Sequence, residues 1–463
     1  MSAKTTAVDI LDREDERPIS AFTHGAVSRR LLRRARVGAR GLAAADADDK
    51  PWGLLYRALI NSLGASPDTF QLVYPFVSWS WPTAAAGTIG SAQYDFCSTA
   101  PQWDAVGAYA SGGDRVDLAY QQFLRVIPVA TDDPDLRDQI TVATDALTEA
   151  SNQYTQAVDI ALAIYDDTVV DNTPPFTEWL GSLQGRGYQA NIAAALKKMS
   201  QAEINLAALV DQANTPGLAD ARNQFVNEEF YVRLADPNLT KLPKVPNWSI
   251  SQNAAQWLDK VKAGKGPAGA TMGFSSRDSS YDFSKSWAGG EAKVQQLFWE
   301  VKVNGKWERI DSFETDNQLE VSLEFEAFDL IQIQPSLWYN GGFVRSMANG
   351  PFVRGYSPFG DGDNQAVYGE SGFFNLLKTG MYVGYKPSFS IRTSSATFKQ
   401  FSEKFKVATG IRIGPFSFEA EGGSEKSGWH ADANGSSFTG TTTSDQPMII
   451  GVQIAKMPKG GQG

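Results

Sequence analysis

Two alanine-rich heptad seams constrain this chain more than any other feature. The first reads Leu136, Ile140, Ala143, Leu147, Ala150, Tyr154, Ala157, Ala161, Ile164, and the second Tyr188, Ile192, Ala195, Met199, Ala202, Leu206, Leu209, Ala213. Steps of four and three alternate, the repeat of two helices that wind along each other, and the many small residues allow close approach. Asp133 followed by Pro134 is a strong helix start, a capping carboxylate with proline at the first helical position. The first helix is predicted from there to about Tyr165 and the second from about Tyr188 to Ala213, antiparallel because the return is short. A third helix is expected from Leu218 to about Leu234.

From about Val294 the apolar period changes to two. Leu297, Trp299, Val301 and Val303 alternate with polar residues, and Asn304-Gly305 is the preferred two-residue hairpin turn. Leu319, Val321, Leu323, Phe325 and Ala327 form one face of the next strand, and the pattern shift at Phe328-Asp329 suggests a bulge. Further strands are read around Met381–Tyr385, Phe389–Ile391, Ile411–Ile413, Phe416–Ala420 and Ile450–Ile454. Phe398, Phe401, Phe405 and Ala408 have helical spacing, so one amphipathic helix is expected between them. Leu72–Trp81 reads as extended because Pro75 and Pro82 exclude a helix. The expected class is α+β, an N-terminal helical domain with a long antiparallel helical hairpin followed by a C-terminal antiparallel β-sandwich-like domain. Expected divisions are a disordered tail with an arginine-rich amphipathic segment over 1–42, a helical domain over 43–235, a linker region over 236–290 with one or two helical turns around Trp257 and Val261, and a β domain over 291–458.

Charge is unevenly placed. Residues 27–42 hold Arg29, Arg30, Arg33, Arg34, Arg36 and Arg40 and no acid, while Leu31, Leu32, Ala35, Ala39 and Leu42 can share one helical face. Taking those six positive charges from the formal net charge of −10 leaves the rest of the chain at −16, which disfavours nucleic acid as a general partner. The arginine segment suits a protein partner, an anionic surface or a nucleic-acid tail, or is a solvated arm with no ligand. The single cysteine, Cys97, rules out an intramolecular disulfide. With no apolar signal core among Asp9, Asp12, Glu14, Asp15 and Glu16, and no run long enough to span a bilayer as a helix, a cytoplasmic location is expected, with later release left open.

The inventory for catalysis is thin. His24 and His430 are the only histidines; the first falls in the polar tail and the second in a glycine- and serine-rich loop. Cys97 has no basic or helix-start context to activate it. Neither a phosphate loop nor a dinucleotide fingerprint occurs, and zinc is disfavoured by so few nitrogen and sulfur ligands. Asp361, Asp363 and Glu370 offer oxygens for calcium, although the glycines and the glutamate are off the hand-loop positions, so a solvated turn is the plainer reading. Glu320, Glu324 and Glu326 share a strand face and read as a wet edge, or as partners of Lys302 or Lys306. Trp79, Trp81, Trp338 and Trp429 read as core residues or subunit contacts before sugar platforms, with Trp79 and Trp81 the preferred interaction residues.

These features favour a non-enzymatic, self-assembling or partner-binding structural protein, expected to be a homo-oligomer and to need no cofactor. An acidic body and a basic arm offer a head-to-tail contact of the kind that builds rings or filaments. One alternative is a membrane-active, pore-forming protein using the alternating stretch Phe389–Ala420, although Lys386, Arg392 and Pro415 interrupt it. Another is a carbohydrate-binding protein or a carboxylate-based glycan hydrolase.

Overall fold

The computed structural model describes residues 49–109, 111–129, 131, 133–168, 179–180, 182–213, 217–235, 244–283, 286–287, 298–419, 429–432, 435–442 and 444–458. The arginine-rich segment and His24 therefore lie outside the described residues.

The two seams do form helices, α4 (Pro134–Thr168) and α5 (Arg186–Gln212), after α1 (Asp49–Leu63), α2 (Ser91–Ser98) and α3 (Val116–Arg125). Asp133 caps α4 as expected: its Oδ1 accepts from the backbone N–H of Asp135 (2.9 Å) and of Leu136 (3.2 Å). A separate N-terminal helical domain, however, is not what the chain builds. Leu147, Tyr154, Ile192 and Leu206 belong to one continuous apolar cluster with Trp338, Met381, Ile449 and Val452 of the sheet. Narrow seams of alanine leave apolar surface on each helix beyond their mutual contact, and part of it joins this shared core.

That sheet corrects the second half of the expectation as well. It is a large curled mixed sheet, a half-barrel, rather than a sandwich that begins after a linker. Its strands come from across the chain: β1 (Phe70–Ser78), β2 (Ala108–Tyr109), β3 (Trp248–Ile250), β4 (Ala270–Ser275), β7 (Glu320–Pro335), β8 (Leu376–Arg392), β11 (His430–Ala431), β12 (Ser437–Thr441) and β13 (Met448–Lys456). β1 pairs antiparallel with β13, Phe70 opposite Gln453, and parallel with β2. A smaller sheet holds β5 (Trp299–Val303), β6 (Lys306–Arg309), β9 (Gly410–Ile413) and β10 (Phe416–Glu419). The hairpin between β5 and β6 turns on Asn304 (φ 51°) and Gly305 (φ 77°), both left-handed as that two-residue turn requires.

The two long strands β7 and β8 organise the molecule. Their register is unbroken from Glu320 opposite Arg392 to Gln332 opposite Gly380, so no bulge shifts it at Phe328-Asp329. The pattern shift has another cause. Val321, Leu323 and Phe325 face a second core, shared with α1, β5 and α8 (Ser395–Val407), whereas Ala327, Ile331 and Ile333 face the core shared with the long helices. Phe328 and Leu330 take over contact with the second core from the opposite face. The exchange falls beside Lys386 of β8, a lysine held at φ 45°. Register shifts occur instead between β8 and β13, and between β1 and β13.

The third helix also ends earlier than expected. α6 covers Leu218–Val226, and Tyr231–Ala235 is a strand that pairs in parallel with Thr88–Gly90. The stretch read as a linker contributes β3, β4 and α7 (Ala254–Lys262), whose Trp257 is buried. The predicted helix at Phe398–Ala408 is α8, capped by Ser394.

Candidate functional site

Two concavities flank α4. The first is a groove of about 860 Å³ between α4 and α5. Its α4 wall is Asp138, Val142, Ala143, Ala146, Glu149, Ala150 and Gln153, and its α5 wall Lys198, Gln201, Ala202, Asn205 and Leu209. The groove exists because the seam is made of alanines: Ala143 and Ala202 are only half-buried, so the helices meet below them and leave a trough above. Val142 projects beside it with 69% of its surface exposed. Glu149 and Asp138 stand exposed on the α4 side, and Lys198 on the α5 side. Seven acidic residues against one arginine make α4 strongly negative.

The second concavity is a polar cleft of about 1030 Å³ bounded by Gln102, Trp103, Gln122, Arg125, Asp159 and Asn375 among others. Tyr154 and Val158 of α4 and Arg115, at the start of α3, also line it. Charged groups here are tied into the core. Arg115 donates from Nε to Asp117 Oδ1 (2.9 Å) and from Nη2 to Oδ2 (3.0 Å), and stacks on Tyr94 at 4.7 Å. Behind the cleft, Gln121 Nε2 donates to Glu203 Oε2 (3.2 Å), and Arg222 Nη1 donates to Glu203 Oε1 (3.4 Å). Arg222 Nη2 also donates to the Leu124 carbonyl (2.8 Å). Burial pulls both Arg125 and Arg222 below the ordinary arginine range, and Glu203 offsets part of this. Arg125 Nη2 donates to Thr148 Oγ1 (3.1 Å), while its Nε–H and the indole N–H of Trp103 find no acceptor among the described residues.

A third polar feature is fully enclosed. Lys378 of β8 donates to the Thr99 carbonyl (2.6 Å) and to the Tyr109 hydroxyl (2.9 Å). Its Nζ lies 4.8 Å from the Phe96 ring centre and 5.1 Å from that of Tyr109. Burial lowers its pKa to about 7. The nearby Cys97 thiol is pushed up to about 12 by burial, which leaves it an inert packing group.

The residues singled out from sequence are scattered. Trp79 and Trp338 are wholly buried and Trp429 is 5% exposed, so none of the three offers a platform. Trp81 is half-buried against Trp79 and Phe96, with ring centres 6.3 and 5.3 Å away. Asp361 is bound to the Asn364 side chain (2.7 Å), and Glu370 lines the polar cleft. Among the described residues no three His, Cys, Asp or Glu side chains converge to hold a metal, those at Asp361, Asp363 and Glu370 included. Glu320 and Glu326 pair with Arg392 (3.7 Å) and Lys386 (3.9 Å), while Lys302 pairs with Glu419 (3.2 Å) instead. His430 is exposed on the short strand β11. Residues 389–419, the candidate membrane hairpin, place Phe389, Phe401, Phe405 and Phe418 in the second core. No described helix is long and apolar enough to cross a membrane.

Sequence reasoning missed the Gln121–Glu203–Arg222 cluster and Lys378. Glu203 follows the seam position Ala202, and Lys378 follows Leu376-Leu377; a charge inside an apolar run was the available signal. No protein-family model, curated protein or solved structure matches this chain.

Proposed function

We propose that the chain is a non-enzymatic binding and assembly protein whose working surface is the groove between α4 and α5. The observation that carries this reading is the groove itself, an apolar trough about 860 Å³ in volume on the outer side of the two longest helices. Exposed apolar surface of this kind is costly in water and is relieved when another surface covers it. Rims of opposite charge, Glu149 and Asp138 facing Lys198, give a partner orientation as well as burial. Mass photometry of the full-length protein and of Val142→Lys tests this. The reading expects oligomers for the parent and a marked loss of them for the variant, with melting unchanged because Val142 is already exposed. A parent that stays monomeric near its 50.3 kDa chain mass across the accessible concentrations counts against self-assembly.

A second reading rests on the polar cleft. Amides, carboxylates and an indole around one recess suit a small polyhydroxylated ligand such as a saccharide, and the unpartnered N–H groups of Trp103 and Arg125 support it. Titration calorimetry with neutral and acidic oligosaccharides tests that reading, and heat that survives Gln122→Ala with Asn375→Ala would overturn it.

A further inference from the structure

Resting on the assembly reading, we infer that the occupant of the α4–α5 groove is the arginine-rich segment 27–42 of a second copy of this chain. Three independent features of the molecule converge on this pairing. The first is charge. The segment holds six arginines and no acid, and α4 carries seven acidic residues and one arginine. Asp138, Asp145 and Glu149 are exposed along the stretch of α4 that borders the groove. Guanidinium groups pair with carboxylates in this setting through charge-assisted hydrogen bonds. Among the described residues Lys198 is the one cation lining the groove, and it lies on the opposite wall.

The second feature is shape. A trough floored by alanine admits small and branched apolar side chains, and the segment supplies Leu31, Leu32, Ala35, Ala39 and Leu42 at helical spacing. The α4 wall runs from Asp138 to Gln153, about 23 Å at 1.5 Å per residue. Residues 27–42, wound as a helix, span the same length of about 23 Å. An arm of this length fills the groove from end to end and sets its arginines over the acidic rim.

The third feature is the tether, whose short reach limits which grooves the arm can enter. Only residues 43–48 separate the segment from α1, a reach of about 25 Å when fully extended. α1 packs into the second core, with Trp52, Leu55 and Leu59, whereas α4 and α5 belong to the first. A contact from the arm of one copy to the groove of the next is heterologous, and it propagates into a ring or a filament.

Disulfide trapping on full-length protein tests the pairing, and the chain is suited to it because its only cysteine, Cys97, is fully buried. Leu32→Cys and Ala146→Cys, made in separate copies with different mass tags, are mixed under mild oxidation. The control pair is Leu32→Cys with Val407→Cys, an exposed position on α8. The inference expects a heterodimer from the first pair well above the control, lost at high salt and lost when Arg33 and Arg34 are replaced by glutamine. Yield equal to the control overturns it. So does a double variant, Leu32→Cys with Ala146→Cys, that closes only within one chain. Mass photometry of the same samples separates the two levels. Oligomers without the cross-link remove the arm as occupant and leave the groove as a surface, whereas monomers without the cross-link remove both.

Discussion

Replacing Lys378 by methionine should flatten one specific part of the stability-versus-pH curve. The lysine is wholly buried, its ammonium held by a carbonyl, a hydroxyl and two aromatic rings, and burial lowers its pKa from 10.5 to about 7. In the unfolded chain it titrates at about 10.4, so between the two values the unfolded state binds the extra proton. Stability therefore rises with pH through this window; below about 7 the penalty for burying the charge is fully present, and it is relieved as the folded lysine loses its proton. Integrating the linkage relation between about pH 7 and about pH 9 gives a gain of about 2 kcal/mol from this residue. Methionine matches its length and does not titrate. Urea unfolding of parent and variant across that range, taken as a difference so that other groups cancel, should show the parent gaining about 2 kcal/mol relative to Lys378→Met. Parallel curves would refute the argument and mean that water or a counter-charge keeps the ammonium at its ordinary pKa.

Two further substitutions probe the packing around the helices. Glu203→Ala should cost about 3–5 kcal/mol, because it strands the buried Arg222 guanidinium, whereas Glu203→Met with Arg222→Met should recover most of the loss in the same denaturation assay. Ala150→Leu should cost about 1–3 kcal/mol by overpacking a 7%-exposed seam position, while Ala202→Leu, half-buried at the groove, should cost less and block assembly instead. Equal thermal shifts for the two alanine variants would show that the trough is closed.

What the sequence makes legible is local. Asp133-Pro134 and Asn304-Gly305 set backbone geometry within a few residues, and both act as read. The phenylalanines of α8 share a helical face, and Phe401 and Phe405 are buried. Several misreadings involve partners far away in the chain. Tyr231–Ala235 continues a helical pattern yet becomes a strand, because Thr88–Gly90 offers it a parallel neighbour. Phe70–Ser78 looks like part of an N-terminal unit, but its partner is Met448–Lys456, near the other end of the chain. The stretch 236–290, rich in proline and glycine, resembles a linker although Ala270–Ser275 lies against β7 over six residues. Tryptophan reads as either a core residue or an interface anchor, and Trp79 takes the first role, buried beside Trp257. The groove itself is half legible: small seam residues signal close helices, but only the packing shows where the trough opens.

Hydrogen exchange of the intact protein, compared between a dilution where it is monomeric and a concentration where it assembles, tests the central claim most directly. The account predicts slowed exchange on assembly in peptides covering 138–153 and 198–209, where the groove lies, and in residues 27–42. Protection confined to other surfaces, with those peptides unchanged, would contradict it.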